Sequence, residues 1–225
     1  MAALELKGIG RRFGERTALE RVTFELPEGA TLVIFGPNGA GKSTLLRILA
    51  TLLSPTEGKA RILGYELGNE SWKLRGKIGL LGHEPMLYGA LSARENLLYH
   101  ARLHGQGTQR VQELLELITL TTRAEDPVRS LSRGMVQRVA VARSVLHKPQ
   151  LLLLDEPRAN LDPGAGALIE PLIGQGAGLT RVITSHDVSG GLKDADYVLG
   201  LRGGRPALIA AAAEVTEEAV HELYA

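Results

Sequence analysis

The chain has 225 residues, 44% of them hydrophobic and 23% charged, with 26 basic side chains against 25 acidic ones and no cysteine. A chain of this size buries roughly 70% of its unfolded surface without a disulfide or metal staple, so one globular domain is expected. The same figures exclude disulfides, thiolate metal sites and a cysteine nucleophile, and leave no net basic field for nucleic acid.

In chain order, residues 4–9 and 21–26 alternate enough to predict short strands. Pro27-Glu28-Gly29 then turns the chain into residues 31–35, a run too apolar for an exposed edge and therefore a central strand. Residues 45–53 have the apolar crowding of a buried helix, so the order is strand, glycine-rich loop, helix. Residues 60–63 and 77–81 are further strands. From Ser92 to about Leu120 the pattern is helical: Ser92 and Glu95 form a capping box, and Val111, Leu114, Leu115 and Ile118 recur at helical spacing. Residues 132–147 predict another helix, closed by Pro149, and 151–154 a strand running into Asp155-Glu156-Pro157. Residues 181–184 predict a strand entering Ser185-His186-Asp187, and 174–178 read as a flexible connection. Thr216 caps a last helix with Glu217 and Glu218 in its first turn. Alternating strands and helices predict a mostly parallel α/β sheet carrying a helical insertion. No run approaches the roughly 20 apolar residues of a spanning helix, and the N-terminal stretch lacks a secretory core, so a cytoplasmic location is expected.

Four segments carry chemistry. Gly36-Pro37-Asn38-Gly39-Ala40-Gly41-Lys42-Ser43-Thr44 is a phosphate-binding pattern placed between strand and helix. Its glycines let backbone N–H groups turn around a phosphate, the helix start adds positive potential, Lys42 reaches the outer phosphates and the Ser43 hydroxyl ligates Mg²⁺. At the end of the leucine strand, Asp155 is suited to the same cation and Glu156 to act as general base on an attacking water. His186, at the end of the next strand, is placed to contact a γ-phosphate. Leu131-Ser132-Arg133-Gly134-Met135 offers a second helix start with a hydroxyl and a glycine, more than one triphosphate needs within one chain.

At this point the sequence resembles the ATP-binding subunits of ABC transporters over nearly its whole length. Phe13, the loop from Gly36 to Thr44, the segment around His83, 131–135, Asp155-Glu156, 159–162 and His186 follow the family order of adenine-stacking aromatic, phosphate loop, glutamine loop, signature, acid strand end, LD loop and switch histidine. Two positions depart from that pattern. His83 stands where the family has glutamine, and magnesium's preference for oxygen ligands points to a water-mediated contact. Arg133 and Met135 replace a glycine and a glutamine of the signature, while Ser132 and Gly134, the phosphate-facing pair in the family, are kept. Gly82-His83-Glu84-Pro85-Met86-Leu87-Tyr88, with Leu91-Ser92-Ala93-Arg94-Glu95-Asn96-Leu97 and the signature, is most similar to the ATP-binding subunit of the haem exporter of cytochrome c biogenesis.

The resemblance implies a P-loop NTPase with a RecA-like core, an antiparallel β subdomain and a helical subdomain. One ABC-type domain over 1–225 is expected, with core and β subdomain at about 1–90 and 146–225 and helices at about 91–145. It implies ATP and Mg²⁺, a homodimer or a heterodimer with a similar subunit joined through the ATP sites, and integral membrane transporter subunits at the inner face of the cell membrane. In that dimer, Ser132 and Gly134 approach the nucleotide of the other subunit. Met86, Leu87 and Tyr88 either receive a short helix of a membrane subunit or pack the helical insertion. ATP subunits of drug, lipid or polysaccharide exporters, and soluble ABC ATPases such as those of Fe–S cluster assembly, are the alternatives.

Overall fold

The computed structural model describes residues 1–158, 161 and 163–225. In chain order its first half contains β1 (Ala2–Phe13), β2 (Arg16–Pro27), β3 (Thr31–Phe35), α1 (Lys42–Leu49), β4 (Glu57–Ile62), β5 (Tyr65–Glu66), α2 (Ser71–Leu74), β6 (Ile78–Leu81), α3 (Ala93–Leu103) and α4 (Thr108–Leu117). The second half contains α5 (Arg133–Val145), β7 (Leu151–Asp155), α6 (Pro163–Ile173), β8 (Thr180–Thr184), α7 (Val188–Asp194), β9 (Tyr197–Arg202), β10 (Arg205–Ala211) and α8 (Glu217–His221).

Two sheets result. One is antiparallel, in the order β2-β1-β4-β5; the other has six strands, in the order β10-β9-β3-β8-β7-β6, and only β10 runs antiparallel to its neighbour. Every residue of β3 and β7 is buried, and period-2 alternation splits each strand between two cores. Leu32, Ile34, Leu151 and Leu153 pack with Leu45, Leu46 and Ile48 of α1 and with Leu4, Leu6 and Leu26 of the antiparallel sheet. Val33, Phe35, Leu152 and Leu154 face Leu97, Val111, Leu115, Val139 and Val141 of the helical layer. Full burial of such a side chain contributes about 1.5–3 kcal/mol, which is why the four-leucine run has no solvent face.

The helical layer is built as its sequence dictates. Glu95 N donates to Ser92 Oγ at 3.1 Å and Ser92 N donates to Glu95 Oε2 at 2.7 Å, so both partners of the capping box are present. The fully buried Asn96 side chain accepts from Tyr88 N at 2.8 Å and donates to Ser92 O at 2.9 Å, fixing the approach to α3. Among the described residues no helix is long and apolar enough to cross a membrane.

Several expected boundaries move. Strands β1 and β2 extend well beyond 4–9 and 21–26, forming a hairpin with irregular register. Helix α1 stops at Leu49, because Thr51 takes a left-handed conformation (φ 62°), so 50–53 form a turn closed on Ile48 and Arg47 carbonyls. Residues 175–177, expected as flexible linker, form a 3₁₀ turn ended by left-handed Gly178 (φ 67°). The carboxyl ends of β3, β6, β7 and β8 lie level, with Ile34 opposite Thr184, Thr184 opposite Asp155 and Leu154 opposite Leu81. Everything that leaves those ends therefore collects along one edge of the sheet, the usual ligand crevice of an open α/β sheet.

Candidate active site

The loop from Gly36 to Thr44 leaves β3 and closes on α1. Gly36 has φ 141°, and a Cβ there would lie 2.1 Å from Leu201 O; Gly41 has φ 104°, and its Cβ would meet Ala18 O at 2.5 Å. Both positions therefore require glycine on two grounds, conformation and close approach. Gly41 is also the N-cap of α1 and no side chain caps that helix, so its first-turn amides have no side-chain acceptor. Lys42 is buried, and its Nζ donates to Gly36 O at 2.5 Å and Pro37 O at 3.2 Å, curling the ammonium inside the loop. Burial lowers the Lys42 pKa, while the Glu156 and Asp155 carboxylates nearby oppose that shift.

Those carboxylates come from the end of β7. Thr184 Oγ1, on β8, donates to Asp155 Oδ1 at 2.6 Å and accepts from Glu156 N at 3.1 Å, so one hydroxyl holds both acidic residues. His186 Nε2 lies 2.9 Å from Glu156 Oε1; an ionised carboxylate only accepts, so this nitrogen carries the donated proton. Glu156 walls two adjoining concavities. The larger, about 330 Å³, is lined by Phe13, Arg16, residues 37–44 and Arg47; the other, about 280 Å³, by Pro157, Thr184, His186 and Asp187 among others. Oriented amides, an ammonium, a serine hydroxyl, two carboxylates and an imidazole together can hold a polyphosphate and accept a proton from water. Among the described residues no three His, Cys, Asp or Glu side chains converge as a metal cluster. A cation here would draw on one carboxylate, hydroxyl and substrate oxygens, a donor set that fits Mg²⁺.

The structure thus brings Phe13, Gly36, Pro37, Asn38, Gly39, Ala40, Gly41, Lys42, Ser43, Thr44, Asp155, Glu156 and His186 to one edge. Phe13 is 47% exposed at the hairpin end, with the Arg11 guanidinium carbon 4.6 Å from its ring centroid. Ser132 and Gly134 line neither concavity. Ser132 is exposed and caps α5, its Oγ accepting from Met135 N at 3.3 Å. His83, two residues beyond β6, is exposed and makes no hydrogen bond among the described residues. Of the 159–162 loop, Ala159, Asn160 and Asp162 lie outside the described residues.

Three contributors escape a reading of the sequence. Thr184 is one, by its grip on both acids. Gln137 Nε2 donates to Pro157 O at 3.1 Å, and Gly36 N donates to Tyr224 Oη at 3.2 Å across 188 residues of chain. No local pattern announces a side chain that acts at that sequence distance.

Comparison with known proteins shows the family. The ABC transporter family profile matches residues 19–159. The linearmycin resistance ATP-binding protein LnrL of Bacillus subtilis is 35% identical over 81% of this chain and 61% of its own length. Nod factor export ATP-binding protein I of Rhizobium sp. is 34% identical over 90% of the chain and 69% of its own length. A phosphonates import ATP-binding protein of Anaeromyxobacter dehalogenans is 34% identical over 99% of the chain and 48% of its own length. The chain therefore spans less than two thirds of two of these relatives. A solved ATP-binding cassette, described as a dimer in a post-hydrolysis state bound to ADP and Pi, superposes with a TM-score of 0.82 at 30% identity, covering 93% of this chain and 98% of that one. The fold is that of the P-loop NTPases, and the chain belongs to the ABC transporter family as one of its ATP-binding domains.

Proposed function

We propose that the chain binds MgATP in the crevice between Phe13, the phosphate loop and Glu156, and hydrolyses it as the ATP-binding subunit of an exporter. One observation carries the reading: Lys42 and Glu156 wall the same concavity, and the Glu156 carboxylate is held by His186 at 2.9 Å. On this reading the exposed ring of Phe13 receives the adenine, and the loop amides with Lys42 hold the phosphates. Ser43 Oγ and Asp155 hold Mg²⁺, with His83 contributing only through water; bound there, the cation offsets charge on the phosphate oxygens. Glu156 accepts the proton of the attacking water, while His186 orients that carboxylate and borders the γ-phosphate.

Ser132 and Gly134 serve the nucleotide of a second copy, or of a similar subunit, so that two ATP molecules sit in the dimer interface. Their position outside the crevice of their own chain supports this, as does the dimeric, ADP-bound relative. The whole chain works as one unit, its helices at about 91–145 carried on the core, at the inner face of a membrane and against separate membrane subunits. Met86 and Tyr88, 46% and 53% exposed, are open to such a subunit. Export is supported by the Nod factor relative, and haem as cargo by the Gly82-to-Tyr88 segment and the LSRGM signature.

The test is phosphate release from MgATP by the purified chain, and then by the chain reconstituted with candidate polytopic membrane subunits. ATP-dependent movement of haem, against drug and lipid cargoes as alternatives, decides the finer reading. A chain that releases no phosphate in either setting refutes the ATPase.

A further inference from the structure

Glu156 has φ 53°, a left-handed conformation that a residue with a Cβ keeps only where its surroundings over-determine it. Three contacts flank it. Its own N–H is held by Thr184 Oγ1 at 3.1 Å, and two residues on, the Arg158 guanidinium spans Glu170 at 2.9 Å and Asp194 at 2.5 Å. These partners belong to β8, α6 and α7, next to the crevice. The third contact comes from elsewhere. Pro157 has no N–H, so its carbonyl is that residue's one backbone hydrogen-bonding group, and it accepts from Gln137 Nε2 at 3.1 Å. Gln137 lies on α5, five residues past Ser132, the N-cap of the same helix.

We propose that Gln137 is a positioning residue for Glu156: from the signature helix, its amide holds the carbonyl of Pro157, the residue next after the carboxylate-bearing one. The inference rests on the reading of Glu156 as the base. It makes the start of α5 and the turn at the end of β7 one hydrogen-bonded unit, so the carboxylate's placement depends on the helix that Ser132 caps.

Steady-state ATP hydrolysis by the purified chain tests this, with rates normalised to nucleotide sites titrated with a fluorescent ATP analogue. Gln137→Met, of similar length and without the donor, should lower kcat about fivefold and leave KM within about twofold. Gln137→Lys returns a donor of similar reach and should recover at least half of the rate. In a Glu156→Gln background, Gln137→Met should cause no further loss, because the base it positions is gone. Should Gln137→Met not fold, Gln137→Glu takes its place, its carboxylate repelling the Pro157 carbonyl. Glu156→Gln alone keeps the two readings apart: wild-type turnover in that variant overturns the base assignment and this inference with it. If Glu156→Gln does lose activity, the positioning role is overturned by an unchanged kcat in Gln137→Met, by failure of the lysine rescue, or by an equal loss in both backgrounds.

Discussion

Helices α1 and α5 both begin with a glycine and a hydroxyl near the first turn, yet the surroundings of their starts differ. The start of α1 has no side-chain cap, holds a buried Lys42 inside its loop, and faces Glu156 across one concavity. The start of α5 is closed by its own Ser132 hydroxyl and carries an exposed Arg133. The backbone dipole is the same in both, so a helix start alone does not make a reaction site. What distinguishes α1 is the set of groups that the sheet edge gathers in front of it. On the proposed reading α5 is half of a site whose other half belongs to another chain.

The sharpest break of that contrast removes the chemistry from the α1 side alone. Glu156→Gln keeps shape and hydrogen-bonding reach while removing the base, and should slow hydrolysis at least about a hundredfold, since a positioned base is typically worth 10² to 10⁴ in rate. Nucleotide affinity, read by equilibrium titration, should stay near wild type, whereas Lys42→Ala should weaken it. Normal turnover in Glu156→Gln would overturn Glu156 as the base of the α1 crevice.

A smaller effect asks which chain each helix start serves. Lys42→Ala and Ser132→Arg should each be inactive alone, yet their heterodimer would have one site with an intact phosphate loop and an intact signature. With random pairing of equal amounts, about half of the dimers are mixed and each has one whole site of two, so roughly a quarter of wild-type sites return. That figure is an upper bound on activity if the two sites must cooperate. The measurement is ATPase rate after co-expression, with each variant alone as baseline and exchange verified by tagged pull-down. If Ser132 acted within its own chain, mixing would restore nothing.

Much of this contrast is legible in the sequence, because its carriers are contiguous. The phosphate loop, the leucine strand ending in Asp155-Glu156 and the Ser92 capping box are local patterns, and each lies where the pattern puts it. What escapes is long-range or set by tertiary context. Thr184, Gln137 and Tyr224 act on residues 20 to 188 positions away through one or two hydrogen bonds each. Strand β10 is an edge with only partial burial, and its alanine-rich stretch gives no clear alternation, so neither it nor its hairpin partner β9 stands out. Arg181 breaks the apolar pattern of β8 but is fully buried, its Nη1 donating to Ile173 O at 2.8 Å and Nη2 to Thr31 Oγ1 at 2.7 Å. Those acceptors lie outside the strand, 8 and 150 residues away, where no pattern within β8 identifies them.

The smallest effect sharpens the comparison at the far end of α5, which must be firmly seated if its start is to reach another chain. Arg143 Nη2 donates to Leu80 O at 2.7 Å and His147 Nε2, two residues past the helix, to Ile78 O at 3.0 Å, so the end of α5 and the residues after it cap carbonyls of edge strand β6. Around them stand His100 of α3 and His104, the C-cap of that helix, with His104 stacked on His147 at 4.3 Å, and Arg75 bordering the same hollow. The titratable groups lining that hollow are all basic. Burial first, and the neighbouring Arg143 and imidazoles second, push His100 and His147 down to about 4, and burial brings Arg143 down to about 10. His100 Nε2 is buried without a partner among the described residues, so protonating it leaves an unpaired charged donor. Both histidines therefore bind protons more weakly folded than unfolded. The stability they allow is fully present above the unfolded value near 6.5 and is lost as pH falls from there toward 4. At pH 5 the loss is on the order of 1–2 kcal/mol per histidine after allowance for partial solvent screening. For a chain of this size that corresponds to roughly 5 °C or more in Tm for the pair. Calorimetry at pH 7.5 and 5.0 on wild type and on a His100→Gln, His147→Gln double variant gives the answer. The variant's fall in Tm should be smaller by about that amount, and an equal fall in both proteins would mean that acid does not loosen the seat of α5 through these two imidazoles.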